Sequence, residues 1–195
     1  MKNAEQIVSK DEKFDSLKYW VSDSIDIDNR RIRLSGAVDE DKLDIIFAAI
    51  RRMVDVNTEA IYVYINSYGG DIYDAFGIYD ILRACKHVDI HTVVSGKVMS
   101  AAAIIFLAGD FRYCSPNSRF MIHEVSDEEI AGKNHDVQNA ATELKIVNEK
   151  MIEIISDHVD LSVKKLRTLI KDDTYYWKEE ALELGFVTEK EYTIE

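Results

Sequence analysis

From residue 30 onward the apolar positions change period repeatedly, and each change marks an element. Residues 30–35 alternate polar and apolar side chains as a half-exposed strand does, and Gly36 ends the run. From Asp39 the period lengthens: Leu43, Ile46, Phe47, Ile50 and Val54 share one helical face, behind an acidic opening (Asp39, Glu40, Asp41) suited to a helix N-terminus. Residues 60–66 are apolar on both faces and rich in β-branched and aromatic side chains, which predicts an interior parallel strand. Ser67-Tyr68-Gly69-Gly70 breaks it, and a helix is expected from about Asp71 to Cys85. A buried strand at 90–94 then meets a tight turn at Ser95-Gly96, followed by a helix of small and apolar residues closed by Gly109. Short strands at 111–114 and 119–123 flank a turn at 115–118.

Strand and helix alternating at this spacing predict an α/β fold, a parallel sheet covered by helices. In such sheets sites form where strands end and helices begin, and Gly69-Gly70, Ser100 and His123 all lie at such ends. Residues 124–133 are acidic and read as a loop or extension. A helix follows over 134–159, with Val137, Ala141, Leu144, Val147, Met151, Ile154 and His158 as its stripe. At about 39 Å it exceeds most helices of a compact domain, so part of it is expected to project and pack against another subunit. Shorter helices are predicted at 162–170 and 178–184, with 171–177 between them. Residues 1–24 read as an N-terminal arm or short helix, and 25–195 as one domain.

Composition narrows the function. A net charge of −12 excludes nucleic acid as a partner, since little here would displace the counterions around phosphates. The lack of any long apolar run predicts no membrane span, and the polar start predicts no signal peptide. A cytoplasmic location is therefore expected. One proline and eight glycines leave no flexible linker. Cys85 and Cys114 have no metal-ligand spacing and are expected as reduced packing residues; no metal is expected either.

A hydroxyl nucleophile needs a base, a group that orients the base, and donors for the oxyanion. Ser100 sits where a strand hands over to a helix N-terminus and would attack. His123, at the end of an apolar strand, would take its proton, and Asp173 or Asp172 would hold the imidazole. Backbone N–H groups of Gly70 and Ala101 would form the oxyanion hole. His87, His91, His135 and His158 stand in no comparable setting and read as surface or packing residues.

Four stretches carry a family resemblance. They are Tyr62-Val63-Tyr64-Ile65-Asn66-Ser67-Tyr68-Gly69-Gly70 with Ile78-Tyr79-Asp80, Gly96-Lys97-Val98-Met99-Ser100-Ala101, Pro116-Asn117-Ser118-Arg119-Phe120-Met121-Ile122-His123, and Asp173-Thr174-Tyr175-Tyr176-Trp177 with Glu179-Glu180-Ala181-Leu182-Glu183-Leu184-Gly185. In this order, over roughly residues 30–190, the chain resembles the proteolytic subunit of the ATP-dependent Clp protease (ClpP), a serine peptidase of the crotonase-like superfamily. The resemblance implies repeated β-β-α units with a projecting handle helix (about 124–159). It makes Ser100 the nucleophile, His123 the base, Asp173 the third member, and Gly70 and Ala101 the oxyanion donors. It further implies a homo-oligomer of stacked rings, heptameric in the family, that cuts peptides and unfolded proteins. No cofactor is implied for this chain, since ATP is used by a partner AAA+ unfoldase. The sequence departs from the family at Tyr68, where proline is usual; at Val98-Met99, in place of two small residues; at Glu124-Val125, in place of Gln-Pro; and over residues 1–24, which do not match the family's axial loop.

Two other functions compete. A crotonase-fold acyl-CoA hydratase or isomerase would use similar backbone amides to stabilise an enolate, without needing Ser100, His123 and Asp173 together. A non-catalytic ring subunit would typically lack a triad member, and this chain keeps all three.

Overall fold

The computed structural model describes residues 24–126 and 130–189; residues 1–23 of the predicted arm, 127–129 of the acidic loop and 190–195 lie outside the described residues. The chain lays down β1 (Ile25–Asp26), β2 (Arg31–Val38), α1 (Glu40–Val56), β3 (Ile61–Gly70), α2 (Ile72–Arg83), β4 (Ile90–Met99) and α3 (Ala101–Leu107). Then follow β5 (Phe111–Cys114), β6 (Arg119–Ile122), α4 (Asn134–Ser156), α5 (Val163–Leu169), β7 (Thr174–Tyr176) and α6 (Lys178–Glu183). The strands form one sheet ordered β1-β2-β3-β4-β6-β7, with β5 also on β4. Pairs β2/β3, β3/β4, β4/β5 and β4/β6 are parallel, as the α/β pattern predicts, and the two outermost pairs are antiparallel.

Helices α1, α2 and α3 pack against one another and the sheet, and every residue of α3 is buried. Short polar side chains cap the N-termini of α1, α2 and α5. Asp39 accepts from Lys42 N–H, Asp71 from Tyr73 and Asp74 N–H, and Ser162, ahead of α5, from Lys165 N–H. The buried stripe of α1 is Ile46, Ala49, Ile50 and Met53, so Phe47, expected on the core face, is instead 51% exposed. The opposite face of the sheet carries a row of aromatics, with the His91 ring 4.6 Å from Tyr62, 4.7 Å from Phe111 and 5.7 Å from Tyr113. Burial holds the His91 imidazole below its usual range.

Strands β3 and β4 are longer than the pattern suggests, because the predicted breaks are bulges rather than ends. Ser35 pairs Asn66 but Ala37 pairs Gly69, and Ile65 pairs Val94 but Ser67 pairs Val98. Gly36 (φ 81°) and Gly96 (φ 112°) supply left-handed conformations at this level. Beyond it the ladders resume and β4 changes partner, from β5 at residues 91–94 to β6 at 97–99. Past the bulge level, β2, β3 and β4 carry Gly69-Gly70 and Ser100 to one place.

Helix α4 is packed unevenly. Val147, Met151, Ile152, Ile154 and Ile155 are buried, whereas Val137 is 38% and Ile146 59% exposed. Just past its C-terminus, His158 Nε2 lies 2.8 Å from Tyr79 Oη. Burial, reinforced by the Arg112 and Arg83 cations, pushes the His158 imidazole down to about 4. Arg112, itself buried, donates to the carbonyls of Gly109, His158, Gly185 and Phe186. Among the described residues no helix is long and apolar enough to cross a membrane.

Candidate active site

Ser100 occupies the single residue between β4 and α3, with φ 53° and ψ −132°. A non-glycine side chain in this region costs about 1–3 kcal/mol and persists only where its surroundings impose it. Here they do. Ser100 N–H donates to Met121 O of β6 at 2.9 Å, its C=O accepts from Ala103 N–H at 2.9 Å, and the all-buried α3 begins at the next residue. The strained turn lifts the hydroxyl out of the sheet edge, and the N–H of Ala101, in the first helical position, has no intrahelical acceptor.

His123 follows directly on β6. Because Met99 and Met121 pair across β4 and β6, serine and histidine leave neighbouring parallel strands at the same end of the sheet. Ser100 Oγ and His123 Nε2 are 2.7 Å apart. With Nδ1 protonated, the hydroxyl donates to Nε2, the arrangement in which the imidazole can take the serine proton.

Gly69 (φ 103°) and Gly70 (φ 153°) pass beside this pair. A Cβ on Gly69 would fall 2.7 Å from Ser100 Cβ and 3.0 Å from Ala101 N; one on Gly70 would overlap the Val38 backbone. No other residue fits either place.

The sheet ends, the start of α2 and helix α4 enclose a cleft of about 490 Å³. Gly70, Ser100, Ala101 and His123 line one side; Ile72, Leu144 and Met151 supply apolar surface. Tyr73 Oη donates to Glu143 Oε1 at 2.7 Å across it, and that bond together with burial raises the Tyr73 phenol above its usual range. No group of three or more His, Cys, Asp or Glu side chains among the described residues is arranged to hold a metal.

Asp173 stands immediately before β7. The antiparallel register pairs Met121 with Tyr175 and Ile122 with Thr174, so the next pair in sequence is His123 and Asp173. The carboxylate is exposed and makes no hydrogen bond or ion pair among the described residues. Asp172 is also exposed; its carbonyl accepts from Thr174 Oγ1 at 3.2 Å. The structure thus brings Ser100, His123, Gly70 and Ala101 together, and places Asp173 across from His123 without joining them.

Comparison with known proteins covers most of the chain. A family model described as Clp protease matches residues 19–190. The chain belongs to the Clp protease family. It is 30% identical over 160 residues to the ATP-dependent Clp protease proteolytic subunit of Carsonella ruddii, covering 81% of each chain. It is 32% identical over 162 residues to the protein of the same description from Deinococcus radiodurans, covering 82% of this chain and 78% of that one. Clp protease proteolytic subunits are serine-type endopeptidases, and this chain is an enzyme of that family.

Two of the departures from the Clp pattern have visible local surroundings. Tyr68, in place of proline, is exposed, with Lys97 Nζ 3.8 Å above its ring. After His123 the backbone is tied elsewhere: Glu124 N–H donates to Ile170 O at 2.7 Å and Val125 N–H to Asn148 Oδ1 at 2.8 Å. Neither cysteine is in the cleft, and burial pushes the Cys114 thiol up to about 11, far from a nucleophile's range. Sequence reasoning assigned no role to Ser67, a fully buried hydroxyl beneath Gly69. The available signal was a small polar residue in a strand otherwise apolar on that face, which must find partners inside.

Proposed function

We propose that this chain is a serine endopeptidase in which Ser100, His123 and Asp173 form the catalytic triad and the N–H groups of Gly70 and Ala101 the oxyanion hole. The observation that carries it is the 2.7 Å approach of His123 Nε2 to a serine held in a strained turn. Ser100 Oγ attacks the scissile carbonyl as His123 takes its proton. The tetrahedral oxyanion lies against Gly70 and Ala101, and the imidazolium returns the proton to the leaving amine. Water then attacks the acyl-enzyme by the same route. Asp173, one step beyond the Ile122–Thr174 pair and so opposite His123, would accept from Nδ1–H and fix the tautomer. This chemistry draws on side chains and backbone alone, so the chain needs no cofactor.

The fold reading goes with it: a crotonase-like core of repeated β-β-α units, with α4 as the projecting handle. Its exposed apolar residues, Val137 and Ile146, suit burial between stacked heptameric rings whose sites face a closed chamber in the cytoplasm. An ATP-driven unfoldase would feed that chamber. Nothing in the site favours the acyl-CoA reading, which would leave the serine–histidine pair without a task.

Hydrolysis of short fluorogenic peptides tests the reading. Ser100→Ala and His123→Ala should each lower kcat by roughly 10⁴-fold or more, and the double variant scarcely further, because the members act as a unit. Near-normal turnover by Ser100→Ala would overturn it.

A further inference from the structure

The oxyanion donor proposed at Gly70 belongs to a peptide joining two glycines, the residues least able to hold a peptide plane by their own sterics. Its neighbours must hold it, and part of the hold is the ladder, which pairs Gly69 with Ala37 and Gly70 with Val38. On the far side, Asp71 N–H donates to Val38 O at 2.8 Å. On the near side, Gly69 N–H donates to Ser67 Oγ at 3.0 Å. That hydroxyl in turn donates to Gly36 O at 2.6 Å, the residue opposite the bulge on β2. Ser67 has no exposed surface, so its hydroxyl meets these two partners rather than water. Gly69, whose N–H it holds through the Tyr68–Gly69 peptide, also packs on the nucleophile, since its α-carbon faces Ser100 Cβ and Ala101 N.

Resting on the peptidase reading above, we propose that Ser67 is a positioning residue. It bridges Gly36 on β2 to Gly69 N–H, and by fixing the Tyr68–Gly69 peptide it sets where the Gly69–Gly70 peptide begins, so that Gly70 N–H meets the oxyanion. Its contribution is made when charge develops on the substrate oxygen, not when the substrate binds.

Steady-state kinetics on one fluorogenic peptide, with the affinity of a matching peptide aldehyde, separate this from a merely structural role. The variants are Ser67→Ala, Ser67→Thr and, as a control, Ser118→Ala. Ser118 is equally buried and its hydroxyl bonds Val94 O at 3.0 Å and Ser115 Oγ at 2.9 Å, away from the cleft. Complete loss of an oxyanion donor costs about 10²–10³ in kcat, so a misaligned one should cost about 30-fold. Ser67→Ala should lose that factor in kcat and in aldehyde affinity with KM within about two-fold, and Ser67→Thr, which keeps the hydroxyl, should recover most of it. Ser118→Ala should keep kcat even where its melting temperature falls as far. If Ser67→Ala does not fold, Ser67→Cys, with a weaker hydrogen-bonding atom, should show the same loss in smaller degree. A Ser67→Ala variant whose kcat and aldehyde affinity match those of Ser118→Ala, or whose kcat loss Ser67→Thr fails to restore, would overturn the proposal alone. Absence of peptide cleavage by the unaltered protein would overturn the peptidase reading, and this inference with it.

Discussion

The wall of the cleft that carries Ser100 and His123 is tied to the sheet by hydrogen bonds along its length, whereas the facing wall, helix α4, is packed over only half its length. On the first wall the glycines are placed by collisions that no larger residue would survive, Ser100 is pinned to β6, and histidine and serine already touch. On the second, the apolar residues Val147, Met151, Ile152, Ile154 and Ile155 are buried, while Val137 and Ile146 stand in water. The groups that make and break bonds must be preorganised to within fractions of an ångström, and a single chain can do that with its own sheet. The surface that bounds the substrate and, on our proposal, joins the rings needs a partner to be complete. Asp173 lies between the two conditions: placed by the sheet register, but with its carboxylate still free.

The largest effect that would sharpen this comparison is at that aspartate. If Asp173 belongs functionally to the preorganised wall, Asp173→Asn should lower kcat by roughly 10³-fold or more by leaving His123 in the wrong tautomer, while Asp172→Asn stays within a few-fold. Peptide hydrolysis by the two variants reads this, and equal effects would remove Asp173 from the triad.

A moderate effect is expected on the unfinished wall. Val137→Glu changes nothing in the chain's own core, but in stacked rings it would bury an unpaired charge at a cost of several kcal/mol. Light scattering should show a smaller assembly and peptide hydrolysis should fall about ten-fold or more, with the fold of each subunit retained. Leu144 is a poorer probe of stacking, since it also lines the cleft. A Val137→Glu variant of unchanged mass and activity would break the link between the exposed stripe and assembly.

The smallest effect concerns the packed half of α4. His158 is held neutral against Tyr79, with its folded-state pKa depressed to about 4 from 6.5. In that window the unfolded chain binds more protons, so stability present above about pH 6.5 is lost as pH falls toward 4. The ring is partly exposed, which limits the contribution to about 1 kcal/mol. Thermal melts at pH 7 and pH 5 should show His158→Gln, which cannot titrate, losing less stability on acidification than the unaltered protein. Equal losses would show that this contact does not titrate with folding.

The same comparison explains what could be read from the amino-acid order. The preorganised wall was largely legible, because strand ends, Gly69-Gly70, and a serine and a histidine at parallel strand termini are all local signals. The bulges were not. Ser67–Gly70 and Ser95-Gly96 look like strand breaks, yet the ladder resumes beyond each once a neighbouring strand supplies the matching irregularity, which no local window contains. Strand β7 carries no local signal for a related reason: Thr174–Tyr176 is extended because β6 lies beside it, not because three residues favour it. Phe47 was misplaced by one step of the helical wheel, since Ala49 and Met53 carry less weight in an apolar pattern than their burial warrants.

The central claim, that Ser100 is a nucleophile activated by His123, is tested most directly by exposing the folded protein to a fluorophosphonate and locating the adduct by mass spectrometry. We predict one adduct per chain, on Ser100, abolished by Ser100→Ala and slowed by orders of magnitude in His123→Ala. Labelling that persists in Ser100→Ala, or that proceeds at the same rate without His123, would contradict the account.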